Sequence, residues 1–274
     1  MPHARTGHDE REDHDKGLSH DLPTLVSRRR ALGSLGGLGL AATVAGCSGD
    51  DSTVDVGEGS TADVGKGEIP EETPGPFPGD GSNGVNVLAE SGIVRSDITT
   101  SFGSSTTVAE GVPLTVRLRV LDVSDGGSAG GLAGAAVYLW HCDRQGRYSL
   151  YSDGVTDENY LRGVQQADGD GYVTFTSIYP AAYAGRWPHV HFEVYPSIDD
   201  ATSASNKLRT TQLALPEDVS RRVYATDGYD ASTANLDQTS LDRDMVFSDG
   251  SSLQMATVTG SVDSGLTATL NVPV

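Results

Sequence analysis

From about residue 85 onward, short segments rich in β-branched and aromatic residues alternate with turns rich in Gly, Asp and Ser. Residues 113–123 alternate apolar and polar positions with a period of two, which is typical of a strand with one buried face. Residues 135–142 are almost continuously apolar, as in a strand buried on both faces. Residues 172–178 follow an Asp-Gly-Asp-Gly turn and alternate again. This pattern predicts β-structure.

The rest of the chain continues this pattern and indicates an all-β fold. Further strands are predicted over residues 190–195, 207–215, 253–262 and 266–272, the last two forming a terminal hairpin. A short turn near 216–223 is the one helical candidate. The spacing of the strands and turns predicts a β-sandwich of mixed-length strands.

The N-terminus has the features of an export signal. Three arginines at 28–30 precede a weakly apolar, Gly/Ala-rich run that ends at Gly46-Cys47. We predict a twin-arginine signal over 1–46, with Cys47 as a lipidated first residue of an exported, cell-surface or extracytoplasmic protein. The alternative is an ordinary exposed tail with an incidental cysteine. Residues 47–70 are predicted to be a flexible acidic tether, and 71–274 the folded domain.

Charge and composition exclude several classes of protein. The formal net charge is −19, so phosphate backbones repel the chain and nucleic-acid binding is not expected. Two cysteines cannot build a disulfide scaffold or a Cys-rich zinc site. Without a long apolar stretch, contact with a membrane is expected only through the anchor at Cys47.

His189 and His191 are the first candidate for chemistry. Residues two apart on a strand point to the same side, so these imidazoles can share one metal ion. The alternative is an exposed pair, or a pair that is hydrogen-bonded in the core. Eight of the ten tyrosines lie between residues 138 and 195, so the nearby supply of ligands points to tyrosine. Phenolate oxygen together with imidazole suits a hard ion such as Fe(III).

A specific resemblance is carried by five segments, at 132–149, 159–163, 171–175, 180–183 and 186–192. Their order is Trp-His, Tyr, Tyr and then His-x-His. The sequence resembles the intradiol ring-cleavage dioxygenases over about residues 110–215. The resemblance is expected to extend over the whole domain from residue 72 onward.

The resemblance implies both an activity and a site. The implied activity is Fe(III)-dependent cleavage of a catechol by O2 to a cis,cis-muconate, between the two hydroxyl-bearing carbons. Tyr183 would also take up a proton, Arg186 would stabilise charge on the substrate ring, and Gln212 would lie near the mouth of the site. Residues 72–77 match a family segment that lies against the substrate pocket. The implied ligands of the non-haem iron are Tyr148, Tyr183, His189 and His191.

Other residues have structural interpretations. His141 and Trp140 are expected to be structural, and Cys142 to be a buried, inert thiol. Arg162 is expected to bind backbone or a carboxylate behind the site. Four of the implied site residues also have plainer alternatives. Tyr148 and Tyr183 could be ordinary structural tyrosines, Arg186 could pair with a surface carboxylate, and Gln212 could bond to backbone.

The chain departs from the family pattern in two places. A signal and tether replace the helical dimerisation segment or partner subunit of cytosolic members, and only six residues separate Tyr183 from His189. Substrate identity and a homo-oligomeric state therefore stay open. The rival interpretations are a cell-surface module that binds catechol-type compounds or iron without turnover, and a structural lipoprotein without metal.

Overall fold

The computed structural model describes residues 67–124 and 129–274. Within them the chain forms two β-sheets and two short α-helices. The helices are α1 (Glu217–Tyr224) and α2 (Ser232–Asp237). The strands are β1 (Pro113–Asp122), β2 (Gly130–Gly131), β3 (Ala136–Trp140), β4 (Arg162–Gln166), β5 (Tyr172–Ile178), β6 (His189–Tyr195), β7 (Arg209–Ala214), β8 (Thr257–Ser261) and β9 (Gly265–Pro273).

The two sheets differ in topology. In the five-stranded sheet, β1 lies between β9 on one side and β5 and β2 on the other, and β8 pairs with β9. The β1–β9 pair is parallel, whereas the other pairs are antiparallel. The four-stranded sheet has the order β4-β3-β6-β7 and is antiparallel throughout.

One hydrophobic core lies between the sheets. Alternate residues of β1, from Leu114 to Val120, are buried in the same cluster as Val190, Phe192 and Val194 of β6. The two sheets therefore form the predicted sandwich. In the four-stranded sheet β3 and β6 are buried along their whole length, because chain segments also cover its outer face.

Most predicted strands are confirmed, and so is the short helix near 216–223. β4 was missed, because Val164 is the one large apolar residue within it. The strand predicted over 253–262 is shorter, at Thr257–Ser261, because residues 251–255 form a turn that pairs with Ala214. No helix in the described ranges is long and apolar enough to cross a membrane.

The folded part of the chain begins earlier than the predicted boundary at residue 71. Ile69 is fully buried in the central core, and its N–H donates to the carbonyl of Pro273 at 2.7 Å. The predicted signal, Cys47 and most of the predicted tether lie outside the described residues.

Helices α1 and α2 fix the segment that leads to the candidate site. Ser220 of α1 shares a 2.8 Å hydrogen bond with the hydroxyl of Tyr179. Asn235 of α2 donates to the carbonyl of Ala182 at 2.9 Å, directly before Tyr183. The helices therefore determine where the chain enters the site.

Candidate active site

The site lies on the outer face of the four-stranded sheet. Strand pairing sets one row of residues in register across all four strands, and all four side chains are buried. Paired residues in an antiparallel sheet point to the same side. From β4 to β7 the row reads Arg162, Trp140, His191 and Gln212.

The two histidines of β6 bring their Nε2 atoms together at 3.0 Å. They do so because residues two apart on a strand share one face. The Nδ1 of His189 lies 2.5 Å from the carbonyl of Trp187, so it carries the proton and leaves a lone pair on Nε2. The ring of His191 stacks on Trp140, with ring centroids 4.9 Å apart. Both imidazoles are therefore fixed with Nε2 facing one point.

The two tyrosines complete the cluster. Tyr183 follows the segment held by the helices, and its Oη lies 3.1 Å from Nε2 of His189. The Oη of Tyr148 lies 3.3 Å from that of Tyr183. Tyr148 is buried, and its ring packs against Phe77 with centroids 5.1 Å apart. The structure thus brings together all four side chains that the sequence suggested as ligands.

Burial favours the neutral form of every group in this cluster. It raises the pKa of Tyr183 to about 12, and it raises the pKa of Tyr148 well above its ordinary value. It also lowers the pKa of His189 to about 3, and that of His191 well below its usual range. Neutral imidazole is the form that ligates metals, and a bound cation would reverse the cost of ionising the phenols.

The donor set fits one hard cation. Two ligands bound at right angles, each about 2.1 Å from an ion, are about 3.0 Å apart. The successive donor atoms here are 3.0 to 3.3 Å apart. In the described part of the chain no cluster of three or more His, Cys, Asp and Glu side chains is placed to hold a metal. The oxygens beside the two imidazoles are those of Tyr148 and Tyr183.

Arg186 borders this cluster and is almost completely buried. Its Nη1 lies 3.5 Å from Nε2 of His189. Its Nε donates to Oδ2 of Asp244 at 2.9 Å, in an ion pair that is closed to solvent. The alternative of a surface carboxylate as the partner of Arg186 is wrong, because Asp244 is fully buried. The guanidinium therefore holds its Nη1 at a fixed place beside the donor atom of His189.

Gln212 lies beneath residues 69–93, which we call the covering segment. Its Oε1 accepts from Arg186 Nη2 at 2.6 Å, and its Nε2 donates to the carbonyl of Thr73 at 3.0 Å. Its side chain is fully buried, whereas a place near the mouth of the site was expected. Gly75 lies over His191, where a β-carbon would stand 3.5 Å from the ring.

The structural interpretations of the neighbouring residues agree with the contacts. Arg162 is buried and donates to the backbone carbonyls of Phe77, Pro78 and Ser149. The buried ring of His141 contacts Ser177 Oγ at 2.7 Å. Cys142 and Trp140 are also buried, and burial raises the pKa of the Cys142 thiol above its ordinary value.

Asp244 is the residue at this site that sequence reasoning missed. It follows a short 3-10 turn, Leu241–Arg243, in a segment without strand or helix periodicity. Its partners Arg186 and Trp187 stand 58 and 57 positions earlier in the chain. No local pattern connects residues so far apart.

Comparison with known proteins finds similarity to dioxygenases. A family model described as Dioxygenase matches residues 92–195, the segment that contains all four donor residues and Arg186. An intradiol ring-cleavage dioxygenase from Tetranychus urticae superposes with a TM-score of 0.55 at 24% identity, covering 67% of this chain and 87% of that chain. A second dioxygenase structure gives 0.53 at 24% identity, with the same coverage of 67% and 87%.

A third similar structure is the dioxygenase domain of a dioxygenase and carbohydrate-binding protein fusion from Streptomyces sp. SirexAA-E. Its TM-score is 0.47 at 21% identity, covering 75% of this chain and 96% of that chain. The two similarities above 0.5 define the class of fold. The described chain has the all-β fold of the dioxygenases.

Proposed function

We propose that this protein is a non-haem Fe(III)-dependent intradiol dioxygenase that cleaves a catechol-type aromatic with O2 to a cis,cis-muconate-type product. The observation that carries the proposal is the convergence of four donor atoms, with successive distances of 3.0 to 3.3 Å, beside a buried arginine. The dioxygenase fold and the match over residues 92–195 support it.

The proposed ligands are Tyr148, Tyr183, His189 and His191. When bound by them, Fe(III) supplies Lewis acidity that lowers the pKa of the phenols and draws electron density from a catecholate, so that the ring becomes reactive to O2. The described residues supply proton transfer and charge stabilisation.

Tyr183 is the proposed acceptor of a substrate proton. Its side chain is partly exposed, whereas that of Tyr148 is buried, so Tyr183 is the phenol closer to arriving substrate. When the cation does not hold this phenolate, burial raises the pKa of the Tyr183 phenol to about 12, so the phenolate would take a proton from a substrate hydroxyl onto Oη.

Arg186 is the proposed electrostatic stabiliser. Two of its nitrogens, Nε and Nη2, donate to fixed acceptors, and Nη1 faces the donor cluster. A positive charge held in this way stabilises negative charge that develops on the substrate ring, without reorganising as the reaction proceeds. The overall reaction balances without a further reductant, because one C–C bond breaks and both oxygen atoms of O2 enter the two new carboxyl groups.

Isotope labelling separates this function from a module that only binds catechols. The iron-loaded protein is incubated with catechol under ¹⁸O₂, and the product is analysed by mass spectrometry. We expect a muconate with two heavy oxygens, and turnover about 100-fold slower in Arg186→Gln with iron retained. Arg117→Gln, at an exposed arginine on the opposite sheet, is the matched control and should not change turnover. Binding of catechol and related diols without any ring-opened product would contradict the proposal.

We also propose that the protein is exported and held at the membrane by a lipid on Cys47. The supporting features are the arginines at 28–30, the short Gly/Ala-rich run and the Gly46-Cys47 junction. Expression of the full chain in a bacterial host with a lipoprotein pathway should place the protein in the membrane fraction. Cys47→Ser should release it or leave it unprocessed. An unmodified Cys47 in the wild-type chain would contradict the anchor.

A further inference from the structure

We propose that Asp244 is a positioning residue for the reaction, one that holds both Arg186 and the backbone before His189 in their working orientations. The inference rests on the proposed function, because the role of Arg186 does. It adds a residue outside the segment that matches the dioxygenase family model, which ends at residue 195.

Every hydrogen bond found at the carboxylate of Asp244 comes from an N–H group, so both oxygens act as acceptors. Oδ2 accepts from Arg186 Nε at 2.9 Å and from the N–H of Trp187 at 2.6 Å. Oδ1 accepts from Arg186 Nη2 at 3.3 Å, from the N–H of Val246 at 2.8 Å and from that of Phe247 at 3.3 Å. An amide in this place would direct its NH₂ group at N–H donors in either orientation.

These contacts determine the orientation of the guanidinium. Asp244 engages Nε and Nη2 of Arg186, and Gln212 Oε1 accepts from the same Nη2 at 2.6 Å. A planar guanidinium held at two nitrogens cannot rotate, so Nη1 stays 3.5 Å from Nε2 of His189. Without Asp244, Gln212 alone would hold Arg186.

The same carboxylate also holds the chain that orients His189. Trp187 donates its N–H to Asp244, and its carbonyl accepts from Nδ1 of His189. The indole N–H of Trp187 donates to the carbonyl of Leu215 at 2.8 Å, which fixes the residue from a third side. Partners of this kind set the ring orientation of a ligating histidine.

Asp244 is itself fixed in place and ionised. Its backbone N–H donates to the carbonyl of Ser240 at 3.0 Å, and its side chain is fully buried. Burial alone would raise its pKa, but the positive charge of Arg186 and the donated hydrogen bonds hold the pKa below its ordinary value. A permanent negative charge therefore lies behind Arg186, on the side away from the donor cluster.

The first test measures positioning without turnover. In iron-free full-length protein, the exchange of the Arg186 Nε–H with water is followed by NMR in the wild type and in Asp244→Asn. We expect exchange at least about 10-fold faster in the variant, because the hydrogen bond that protects this proton is weakened. Asp143→Asn is the matched control, since Asp143 is another buried carboxylate that pairs with an arginine, Arg147, and with backbone N–H groups. Unchanged exchange in Asp244→Asn would overturn the proposal.

The second test is a double-mutant cycle on kcat, with iron content measured for each protein. Asp244→Asn should lower kcat by about 10- to 100-fold in the wild-type background. In an Arg186→Gln background the same change should have a much smaller effect, because a residue that acts through Arg186 has little left to position. Equal losses in both backgrounds, or no loss in either, would overturn the proposal.

The two tests separate the failure of this inference from the failure of the proposed function. A wild-type protein that protects the Arg186 proton but neither binds iron nor cleaves catechols would contradict the function and leave the contact in place. If Asp244→Asn does not fold, Asp244→Glu, which keeps the charge but displaces it by one methylene, is used for both measurements with the same expectations.

Discussion

The outer faces of the two sheets have opposite characters. On the five-stranded sheet, pairing sets Thr259, Thr267, Thr115 and Thr176 in one row across four strands, and all four are exposed or half-buried. On the four-stranded sheet the corresponding row is Arg162, Trp140, His191 and Gln212, each at most 3% exposed.

The difference comes from what covers each face. The covering segment and the chain before β6 lie over the four-stranded sheet, where Gly75 approaches His191 and Pro78 accepts from Arg162. Burial makes unpaired polar groups costly, so each side chain there needs defined partners. The open face can satisfy its groups with water. Both outer faces belong to the same sandwich, but only the face that other chain segments cover and bury contains a candidate site.

The largest expected contrast is in iron binding. His191→Ala should abolish iron binding and lower turnover by more than about 100-fold, because it removes one of four donors and opens a cavity beneath Gly75. Thr267→Ala, on the open face, should leave both unchanged. Iron content by atomic absorption, measured with turnover, checks the pair. An iron-replete and active His191→Ala would show that this imidazole is not a ligand.

Two arginines test the same contrast in stability. Arg162→Met should lower the free energy of unfolding by about 3 to 5 kcal/mol, since the carbonyls of Phe77 and Ser149 lose the guanidinium donor and the carbonyl of Pro78 keeps only the Tyr138 hydroxyl. Arg117→Met, which loses a contact over the Tyr172 ring, should cost only about 0.5 kcal/mol. Chemical denaturation of both variants is the measurement. If the two variants lost similar amounts of unfolding free energy, the buried polar contacts of the covered face would contribute no more to stability than those of the open face.

His141, at the end of β3, lies in the interior behind the covered face and makes the free energy of unfolding depend on pH. Burial lowers its pKa to about 4, despite a hydrogen bond with the Cys142 carbonyl that opposes the shift. The unfolded chain, with a pKa near 6.5, therefore binds this proton more readily. The contribution of neutral His141 to the free energy of unfolding is fully present above pH 6.5. It is lost as the pH falls towards 4, which lowers the free energy of unfolding by roughly 3 kcal/mol.

The matched variant for this pH effect is His141→Asn. Its free energy of unfolding should fall less between pH 7 and pH 4 than that of the wild type, with roughly 3 kcal/mol separating the two changes. His189 and His191 are common to both proteins, so their titration cancels in the comparison. Parallel pH profiles would contradict the assignment of a neutral, buried His141.

Two glycines separate backbone strain from contact with the site. Gly75 and Gly84 both have positive φ, at 71° and 105°, so alanine at either should cost about 1 to 2 kcal/mol of stability. A β-carbon at Gly75 would stand in van der Waals contact with the His191 ring, 3.5 Å away, on the side where substrate must approach, whereas at Gly84 it meets open space. Only Gly75→Ala should therefore also raise the KM for catechol. Equal kinetic effects would place His191 away from the substrate.

Much of the fold could be predicted from the sequence, because in β1, β5 and β6 the local pattern of apolar residues indicates a strand with buried side chains. β4 could not be predicted, since Val164 is its one large apolar side chain and the buried Arg162 is held there by hydrogen bonds. Its polar residues have no periodic signal.

The candidate site divides in the same way. The His-x-His spacing suggested His189 and His191, whereas Tyr148 and Tyr183 were singled out among the neighbouring tyrosines only by the resemblance to the intradiol dioxygenases. Asp244 and the depth of Gln212 depend on contacts between distant segments, namely 58 residues from Arg186 to Asp244 and the closure of Thr73 over Gln212. Such contacts exist only in the folded chain.

The most direct test is the visible absorption spectrum of the iron-loaded protein, recorded with catechol first without oxygen and then under air. The proposed centre predicts a tyrosinate-to-iron band that shifts to longer wavelength on catechol binding and recovers as muconate forms. Tyr148→Phe and Tyr183→Phe should each weaken the band. A protein that stays colourless after reconstitution with iron would contradict an iron centre at this site, and with it the proposed function.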